Sequence, residues 1–516
     1  MTSSLVGSEM CIRDRFIFII YKKTLTGVLY SSGFALTLAV IGSAIIGAGM
    51  AAAVCLCLCA AAFSGPIAAA AGETGVSMAY ETELFDTSSI LTVNILMDEA
   101  DWNDMLANAA AEEYYQCDVE IGGTTFYRVA IRPKGNTSLT SIASDPTTDR
   151  YSFKLEFDHY VDGQTCFGLD KLILNNNYAD ATNMKEALIY DMYQYLGADA
   201  SLYNYAKLSV NGEYWGVYLA LEAVEDSFLL RNYGVQDGEL YKPDSMNIGG
   251  GKDFGDFNAD DIDFGDLDLD NLLRYMAVHI FSVNEDSLSG SMAHNYYLYE
   301  AGGKLNLIPW DYNLALGGMG RSNDATSVVN DSIDNAFSGT TFFDTLMENE
   351  TYHSQYYAYL QQLVSEYING GGFDAFYTRV RSQIDALVES DPTAFYSYDE
   401  YLTAAETLYQ VVKLRGQSIQ GQLDGTIPST EAAQRTSDAL VDASALDLST
   451  MGYMNSGGGG GFDAPAASET RTAPDVSDGS EHAPPAGFDP SQFSGEGQNA
   501  DDPQQTAEDA PASGDA

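Results

Sequence analysis

The chain has 516 residues, more than one ordinary domain needs, and its apolar share of 45% is enough for a sizeable core. It carries 24 basic and 74 acidic residues, a formal net charge of −50, so most of its surface repels nucleic acid and anionic lipid. An anionic ligand would therefore need a local basic pocket, usually with a metal ion. Strong acidity also keeps an exported protein soluble, and we take this as the main reason for the charge.

The first 72 residues are typical of a targeting region. Residues 1–23 are a doubtful start that resembles a translated sequencing adaptor and ends in the basic pair Lys22 and Lys23. Residues 24–72 are uncharged, exceed the roughly 20 apolar residues that span a bilayer, and include an alanine-rich stretch typical of a cleavage site. A cleaved signal peptide and a membrane anchor both fit, and both place the rest of the chain outside the cytoplasm.

Composition divides the exported part into four regions. Residues 73–89 predict a polar linker, residues 90–425 one large domain, and residues 426–455 an extension of it. Residues 456–516 are rich in Gly, Pro, Ala and acidic side chains without any hydrophobic period, which predicts a disordered tail.

The exported part holds two cysteines, Cys117 and Cys166. A disulfide between them and two free thiols are both compatible with the sequence. Since no C-x-x-C pair follows the apolar segment, the sequence indicates neither a disulfide scaffold nor a zinc site.

Short strands dominate the first half of the domain. Hydrophobic alternation and turn residues predict two helices, three single strands and two hairpins. The helices lie at 98–110 and 184–197, the strands at 90–97, 150–157 and 171–176, and the hairpins at 117–133 and 205–222. The turns of the hairpins are Gly122-Gly123 and Asn211-Gly212, and the Asn-Gly pair is the strongest short hairpin signal.

Helices dominate the second half. The pattern predicts a helix at 269–284, a short hairpin at 295–310, and several helices between 340 and 424. The sequence therefore predicts an α+β fold with a strand-rich N-terminal lobe and a helix-rich C-terminal lobe. The acidic stretch 253–270 fails the EF-hand template, so a solvated loop is favoured over a calcium site there.

Four segments stand out by their order along the chain. They are RPKGNTS at 132–138, VNGEYWGVYLALE at 210–222, VNEDSLSGSMAHNYYLY at 283–299 and LIPWDYNLALG at 307–317. Together they resemble the hallmarks of the CotH family of atypical protein kinases, over about residues 90–420. The resemblance implies a two-lobed atypical kinase-like fold in a secreted protein that phosphorylates protein hydroxyls with ATP and a divalent metal.

The resemblance also implies roles for three side chains. Asp286 matches the catalytic Asp that serves the substrate hydroxyl, while Asp311 and Asn295 parallel the metal-holding residues of protein kinases. Such hard oxygen ligands suit Mg²⁺ or Mn²⁺. Two departures stand out: the nine residues from Asp286 to Asn295 exceed the spacing of ordinary kinases, and Asn313 occupies a position where the family often has a second acid.

Phosphoryl transfer also needs a cation on the nucleotide phosphates. Lys154, on a predicted strand, is our first candidate, and an exposed strand lysine is its plain interpretation. The rival is Lys134, which Arg132 and Asn136 would support at the same turn, unless the three only close a hairpin.

Two glutamates complete the predicted nucleotide site. Glu186, on the helix after the strands, could pair with the lysine, as a helix glutamate does in protein kinases, or face solvent. Glu222 ends the last strand of the first half, at a hinge position beside the nucleotide, or it caps a turn. His279, on an apolar helix, predicts a core histidine, and His294 borders Asn295.

Three hypotheses remain open at this stage. The first is an extracytoplasmic protein kinase, membrane-anchored or secreted, that acts on surface or coat proteins and binds no nucleic acid. The second is a non-catalytic surface or coat protein on the same fold. The third is a calcium-dependent adhesin built on residues 253–270.

Overall fold

The computed structural model describes residues 75–234, 236, 238–242, 267–290, 294–319, 324–334 and 346–454. The predictions for the start, the signal or anchor segment, residues 253–266 and the acidic tail lie outside the described residues. None of the described helices is both long and apolar enough to cross a membrane.

A closed β-barrel forms the first half of the domain, in the strand order β1-β2-β3-β4-β5-β7-β6. Its strands are β1 (Leu91–Leu96), β2 (Tyr115–Ile121), β3 (Thr124–Lys134), β4 (Ser152–Glu156), β5 (Lys171–Asn175), β6 (Tyr203–Val210) and β7 (Glu213–Glu222). Neighbouring strands are antiparallel except β1 and β6, whose parallel pairing closes the barrel. The predicted strands and both predicted hairpins of this half are confirmed.

Helices connect and cover these strands. In chain order they are α1 (Tyr80–Glu83), α2 (Glu99–Ala107), α3 (Thr137–Ala143), α4 (Lys185–Leu196) and α5 (Asp226–Tyr233). Asp98 caps α2 by accepting from the backbone N–H of Ala100, and Gly197 ends α4 in the left-handed region.

The second half is mainly helical. It contains β8 (Leu240–Tyr241), α6 (Leu269–Ser282), β9 (Tyr296–Ala301), β10 (Lys304–Pro309), α7 (Ala325–Val329), α8 (Glu350–Gln362), α9 (Gly372–Glu389), α10 (Tyr398–Leu423) and α11 (Glu431–Gln434). A π-helical segment, Leu363–Ile368, continues α8, and the antiparallel pair β9-β10 is extended by β8. The mixed α+β class is thereby confirmed.

Strand alternation decides which side chains leave the barrel. Phe153 and Leu155 of β4 point into the apolar interior, so Lys154 between them points outward. The same period turns Lys134 of β3 and Asn175 of β5 to the outer face. This face meets α4 and the helical half, so polar side chains on it lie at the boundary between the two halves.

The segment predicted as a linker, residues 73–89, is folded in its described part. Val76 donates its N–H to the carbonyl of Leu230 (3.2 Å), and Tyr80 is fully buried with its hydroxyl on Glu222 (2.5 Å). Sequence pattern misses this docking because the anchoring apolar residues, among them Leu84 and Phe85, follow no long period.

A buried ion pair joins the barrel to the helical half. The Arg150 guanidinium lies 2.8 Å from Asp391, and both side chains are 2% exposed. Asp391 also accepts the N–H of Val217 on β7 (2.9 Å), and Arg150 donates to Thr393 (2.8 Å). The pair therefore connects a barrel strand to the segment that follows α9.

The extension after α10 packs along the domain. Leu448 lies where a side chain on Gly317 would otherwise extend. The Met451 carbonyl accepts the N–H of Ala181 (3.0 Å), and the Met454 N–H donates to the Gly318 carbonyl (2.8 Å). Cys117 and Cys166, for which the sequence left a disulfide open, are both buried free thiols.

The buried pair makes a stability prediction. Asp391→Asn leaves a buried, uncompensated guanidinium, so the free energy of unfolding should fall by about 3–5 kcal/mol. Glu431→Gln breaks the exposed ion pair of Glu431 with Arg435 and should change the free energy of unfolding by less than about 1 kcal/mol. Equal effects of the two variants in urea denaturation would contradict this account.

Candidate active site

Lys134 ends β3 on the outer face of the barrel and is held from two sides. Its ammonium donates to Asn175 Oδ1 (3.3 Å) and lies 5.6 Å from the centre of the Trp310 ring. Burial lowers the pKa of Lys134, while the nearby carboxylates of Asp311 and Glu186 act to raise it. Lys134 is therefore a desolvated cation that faces two acids.

Glu186 lies in the first turn of α4 and is 3% exposed. Asn175 donates its amide N–H to Glu186 Oε2 (2.7 Å), so this one asparagine bridges Lys134 and Glu186. Burial and the charge of Asp311 raise the pKa of Glu186 to about 8. Among the described residues, Glu186 Oε1 has no hydrogen-bond partner.

Asp286 follows α6 in a short loop. Val283 ends the helix with φ 45°, a left-handed conformation that is strained for a β-branched residue. Asn295 donates its amide to the Asp286 carbonyl (2.7 Å) and carboxylate (3.2 Å), and His294 Nε2 lies 3.3 Å from Asp286 Oδ1. The predicted pair of Asp286 and Asn295 is in direct contact.

Asp311 follows β10 with φ 58°, again in the left-handed region. Asn284 links it to the other acid, because its Nδ2 donates to the Asp311 carbonyl (3.3 Å) and its Oδ1 accepts the N–H of Asp286 (3.2 Å). Burial and the charge of Asp311 raise the pKa of Asp286 to about 7. The two distant acids of the sequence thus lie together, and Asp311 also faces Glu186 and Lys134.

The backbone beneath the two acid-bearing loops is held by α10. Fully buried Arg415 donates to the carbonyls of Ile280 (2.8 Å) and Phe281 (3.4 Å), which end α6 just before Asp286. Leu316, five residues after Asp311, donates its N–H to the Ser282 carbonyl (2.7 Å). Both loops are therefore pinned to the end of the same helix.

Lys154 and Arg132 lie on the same outer face as Lys134. Lys154 forms an ion pair with Glu225 (3.0 Å), which Lys171 also approaches (3.3 Å). Arg132 pairs with Glu112 and lies 5.4 Å from the Tyr114 ring centre. The Lys154 ammonium is thus paired with the Glu225 carboxylate, whereas Lys134 is the lysine that faces Asp311 and Glu186.

The described contacts of Glu222 and Asn136 do not include Glu186, Asp286 or Asp311. Glu222 is fully buried and accepts from Arg231 (2.6 Å), Tyr80 and the N–H of Leu202 (3.0 Å). Asn136 precedes α3 without a side-chain capping bond. The nucleotide contacts that the sequence predicts for both residues stay predictions.

The donor set can be tested for a metal ion. Within the described ranges, no three His, Cys, Asp or Glu side chains lie close enough to hold one by themselves. Mg²⁺, however, is usually bound by one or two carboxylates together with substrate phosphates and water. Asp311, with the amide oxygen of Asn295, supplies hard oxygen donors, so these residues fit a divalent cation that arrives with a phosphate.

A family model described as CotH kinase protein matches residues 131–263 and 265–419. The chain belongs to the CotH family. The inner spore coat protein H of Bacillus subtilis (strain 168) is 29% identical over 192 residues, which cover 30% of this chain and 52% of that protein. The chain thus spans about half the length of this CotH relative.

Sequence reasoning missed three contributors to the site. Asn175 was recognisable in principle, because it is a polar residue on the outward-facing side of a mostly apolar strand. Arg415 gives none, since an arginine on a long helix normally predicts a solvated face. Lys242 reaches the site electrostatically, lowering the pKa of Lys134, although it lies 108 residues further along the chain.

The raised pKa of Glu186 makes a pH-dependent prediction. The ordinary value is 4.5, so between about pH 4.5 and 8 the native state holds a proton that the unfolded state has released, and native stability falls as pH rises. Glu186→Gln removes this effect. Its melting temperature should exceed that of the wild type by on the order of 5 °C at pH 8.5 and by clearly less at pH 5.

The control for this test is Glu213→Gln, which removes an exposed carboxylate in the hairpin turn between β6 and β7. Its melting temperature should follow that of the wild type at both pH values. A Glu186→Gln difference that is the same at pH 5 and pH 8.5 would contradict the assignment of a buried, proton-holding Glu186.

Proposed function

We propose that this CotH protein is an extracytoplasmic protein kinase that transfers the γ-phosphate of ATP to protein hydroxyls. The observation that carries the proposal is that Asp311 faces both Glu186 and the half-buried Lys134, while Asn284 joins it to Asp286. Burying like charges together is unfavourable unless a cationic ligand completes the group. An ATP–metal complex supplies both the cation and an anion for the lysine.

Each chain residue takes one part of the reaction. Asp286 accepts the proton of the attacking hydroxyl, for which a carboxyl with a pKa of about 7 is well suited. Lys134 binds the phosphates, and Asn175 with Glu186 orients its ammonium. Asp311 and Asn295 would hold Mg²⁺ or Mn²⁺, which neutralises charge on the phosphates.

Charge supports a nucleotide at this place. In a chain with a net charge of −50, five cations lie on or near one face: Arg132, Lys134, Lys154, Lys171 and Lys242. Arg132, Lys154 and Lys171 already pair with Glu112 or Glu225, so Lys134 and Lys242 are the cations of this group that would attract the phosphates of a nucleotide. The barrel and the helical half correspond in this proposal to the two lobes of an atypical kinase, with the nucleotide between them.

Lys134, rather than Lys154, is the phosphate-binding lysine in this proposal. Lys154 is neutralised by Glu225, whereas Lys134 has a neutral amide and an aromatic face as direct partners. Lys154 contributes to the positive face at longer range. Arg132 and Asn136 complete the turn around Lys134, and Glu222 stabilises the hinge.

The substrate is a surface or coat protein, and the domain works outside the cytoplasm, tethered by the N-terminal segment or secreted. The alternative function is a non-catalytic coat or surface protein on the same fold. The specific support for it is that the Bacillus subtilis relative is named for its place in the inner spore coat and not for an activity.

Labelling with ATP separates the two functions. The full-length chain in mild detergent, given radiolabelled ATP with Mg²⁺ or Mn²⁺, should label itself or an added acceptor protein. Asp286→Asn should lower the rate at least about 1,000-fold, because it removes the proton acceptor without changing size. Asp118→Asn, a surface change on β2, should keep full activity. Absence of both labelling and ATP binding in the wild type would favour the non-catalytic function.

The two lysines make a second prediction for the same assay. Lys134→Met should lower kcat/KM by about 100-fold, since it removes a preorganised cation at the transferred phosphate. Lys154→Met should lower it by less than about tenfold, since only a neutralised, more distant charge is lost. The reverse order would return the phosphate-binding role to Lys154.

A further inference from the structure

A buried hydrogen-bond network lies beneath the two acid-bearing loops. We call it the Tyr312 network; its members are Tyr193, Tyr275, His279, Ser289 and Tyr312. The Tyr312 hydroxyl lies 2.6 Å from the Tyr193 hydroxyl and 3.1 Å from His279 Nδ1, and it reaches the Tyr275 hydroxyl at 3.5 Å. His279 Nε2 lies 2.7 Å from the Ser289 hydroxyl.

Three of the members lie in the segments that carry the acids, and Tyr275 and His279 lie on α6, which precedes Asp286. Tyr312 directly follows Asp311, and Ser289 lies three residues after Asp286 in the same loop. Tyr193 is on α4, two turns after Glu186. One hydroxyl therefore connects the three segments that position the three acids.

The imidazole of His279 is the middle link of this network. It is 1% exposed, and burial lowers its pKa to about 3, so the ring is neutral and one nitrogen donates while the other accepts. A neutral ring bonded on both sides couples its hydrogen bonds to Ser289 and Tyr312, because the ring donates to one of them and accepts from the other. The sequence predicts His279 only as a core residue; its two polar contacts show that it does more than fill space.

The rings themselves do not need these hydrogen bonds in order to pack. Tyr275 stacks on His279 at 5.4 Å, and Tyr193 meets Tyr312 edge-on at 5.5 Å. Phenylalanine would keep most of these ring contacts. What the hydroxyl of Tyr312 adds is a directional connection between the loops, in a buried place where a lost partner is costly.

We propose that Tyr312 and His279 are positioning residues, which set the placement of Asp286 relative to Asp311 through the hydrogen bonds of the Tyr312 network. The proposal rests on the kinase function proposed above. Phosphoryl transfer depends almost entirely on positioning and charge, so a small displacement between the proton acceptor and the metal-holding acid slows the chemical step. Binding of ATP, which rests on Lys134, is affected less.

The test compares Tyr312→Phe with Tyr218→Phe in the full-length chain. Tyr218 is a matched control, because it is also fully buried and its hydroxyl is also hydrogen-bonded, to Trp215 Nε1 (3.1 Å) and the Tyr151 carbonyl (3.0 Å), but lies inside the barrel. Tyr312→Phe should lower kcat by about 10- to 100-fold with KM for ATP within about twofold. Tyr218→Phe should lower the melting temperature similarly and leave kcat within about twofold.

A second variant, His279→Gln, should reproduce the loss of kcat and keeps the test usable where Tyr312→Phe folds poorly. A kcat for Tyr312→Phe and His279→Gln equal to that of Tyr218→Phe would overturn the proposal, since the network would then be only a part of the core.

Amide hydrogen exchange separates failure of this inference from failure of the kinase function. A wild-type chain that transfers no phosphate refutes the function, yet exchange still reports on the loops. The positioning role predicts faster exchange in residues 284–290 and 311–318 in Tyr312→Phe and not in Tyr218→Phe. Unchanged exchange in both loops would overturn it.

Discussion

The structure depends on the placement of three carboxyl groups, the buried Glu186 and the half-buried Asp286 and Asp311, near one lysine. Burial and mutual repulsion raise the pKa values of Glu186 and Asp286 to about 8 and 7, far above the ordinary range of carboxyl groups. One lysine does not balance three acids, so the folded chain holds them together at a cost in stability. Such a cost is common at sites that bind a cation and a charged substrate.

The surrounding fold explains how this unfavourable group is maintained. The Arg150–Asp391 pair connects the barrel to the helical half, and Arg415 fixes the end of the helix that precedes Asp286. Val283 and Asp311 both have positive φ angles, so each acid-bearing loop contains a backbone conformation that residues other than glycine rarely adopt. Because these supports come from distant parts of the chain, substitutions far from the acids should still alter their placement.

Much of the fold follows from local rules. The alternation of apolar and polar side chains in residues 150–157 defines β4 and already places Lys154 outside the barrel. The Asn211-Gly212 turn defines the β6-β7 hairpin. The motif residues Asp286, Asn295 and Asp311 are also recognisable from the sequence, and the structure brings them together. The strand pattern alone, however, gives Lys134 and Lys154 the same outward phase and does not say which one faces the acids.

The remaining features depend on tertiary contacts that no local pattern contains. Glu225 neutralises Lys154 from 71 residues away, and Arg415 reaches Phe281 across 134. The docking of residues 75–89 similarly depends on the hydroxyl of Tyr80 meeting Glu222, 142 residues later. Periodicity reports which face of an element is apolar, and it carries no information on which distant partner covers that face.

The most direct test of the central claim is a crystal structure with Mn²⁺ and a non-hydrolysable ATP analogue, read by the anomalous signal of manganese. We expect the manganese at coordination distance from a carboxylate oxygen of Asp311, with the phosphates on the Lys134 ammonium and the γ-phosphate facing Asp286. Manganese and nucleotide bound elsewhere, with the three acids unchanged and without a cation, would contradict the account.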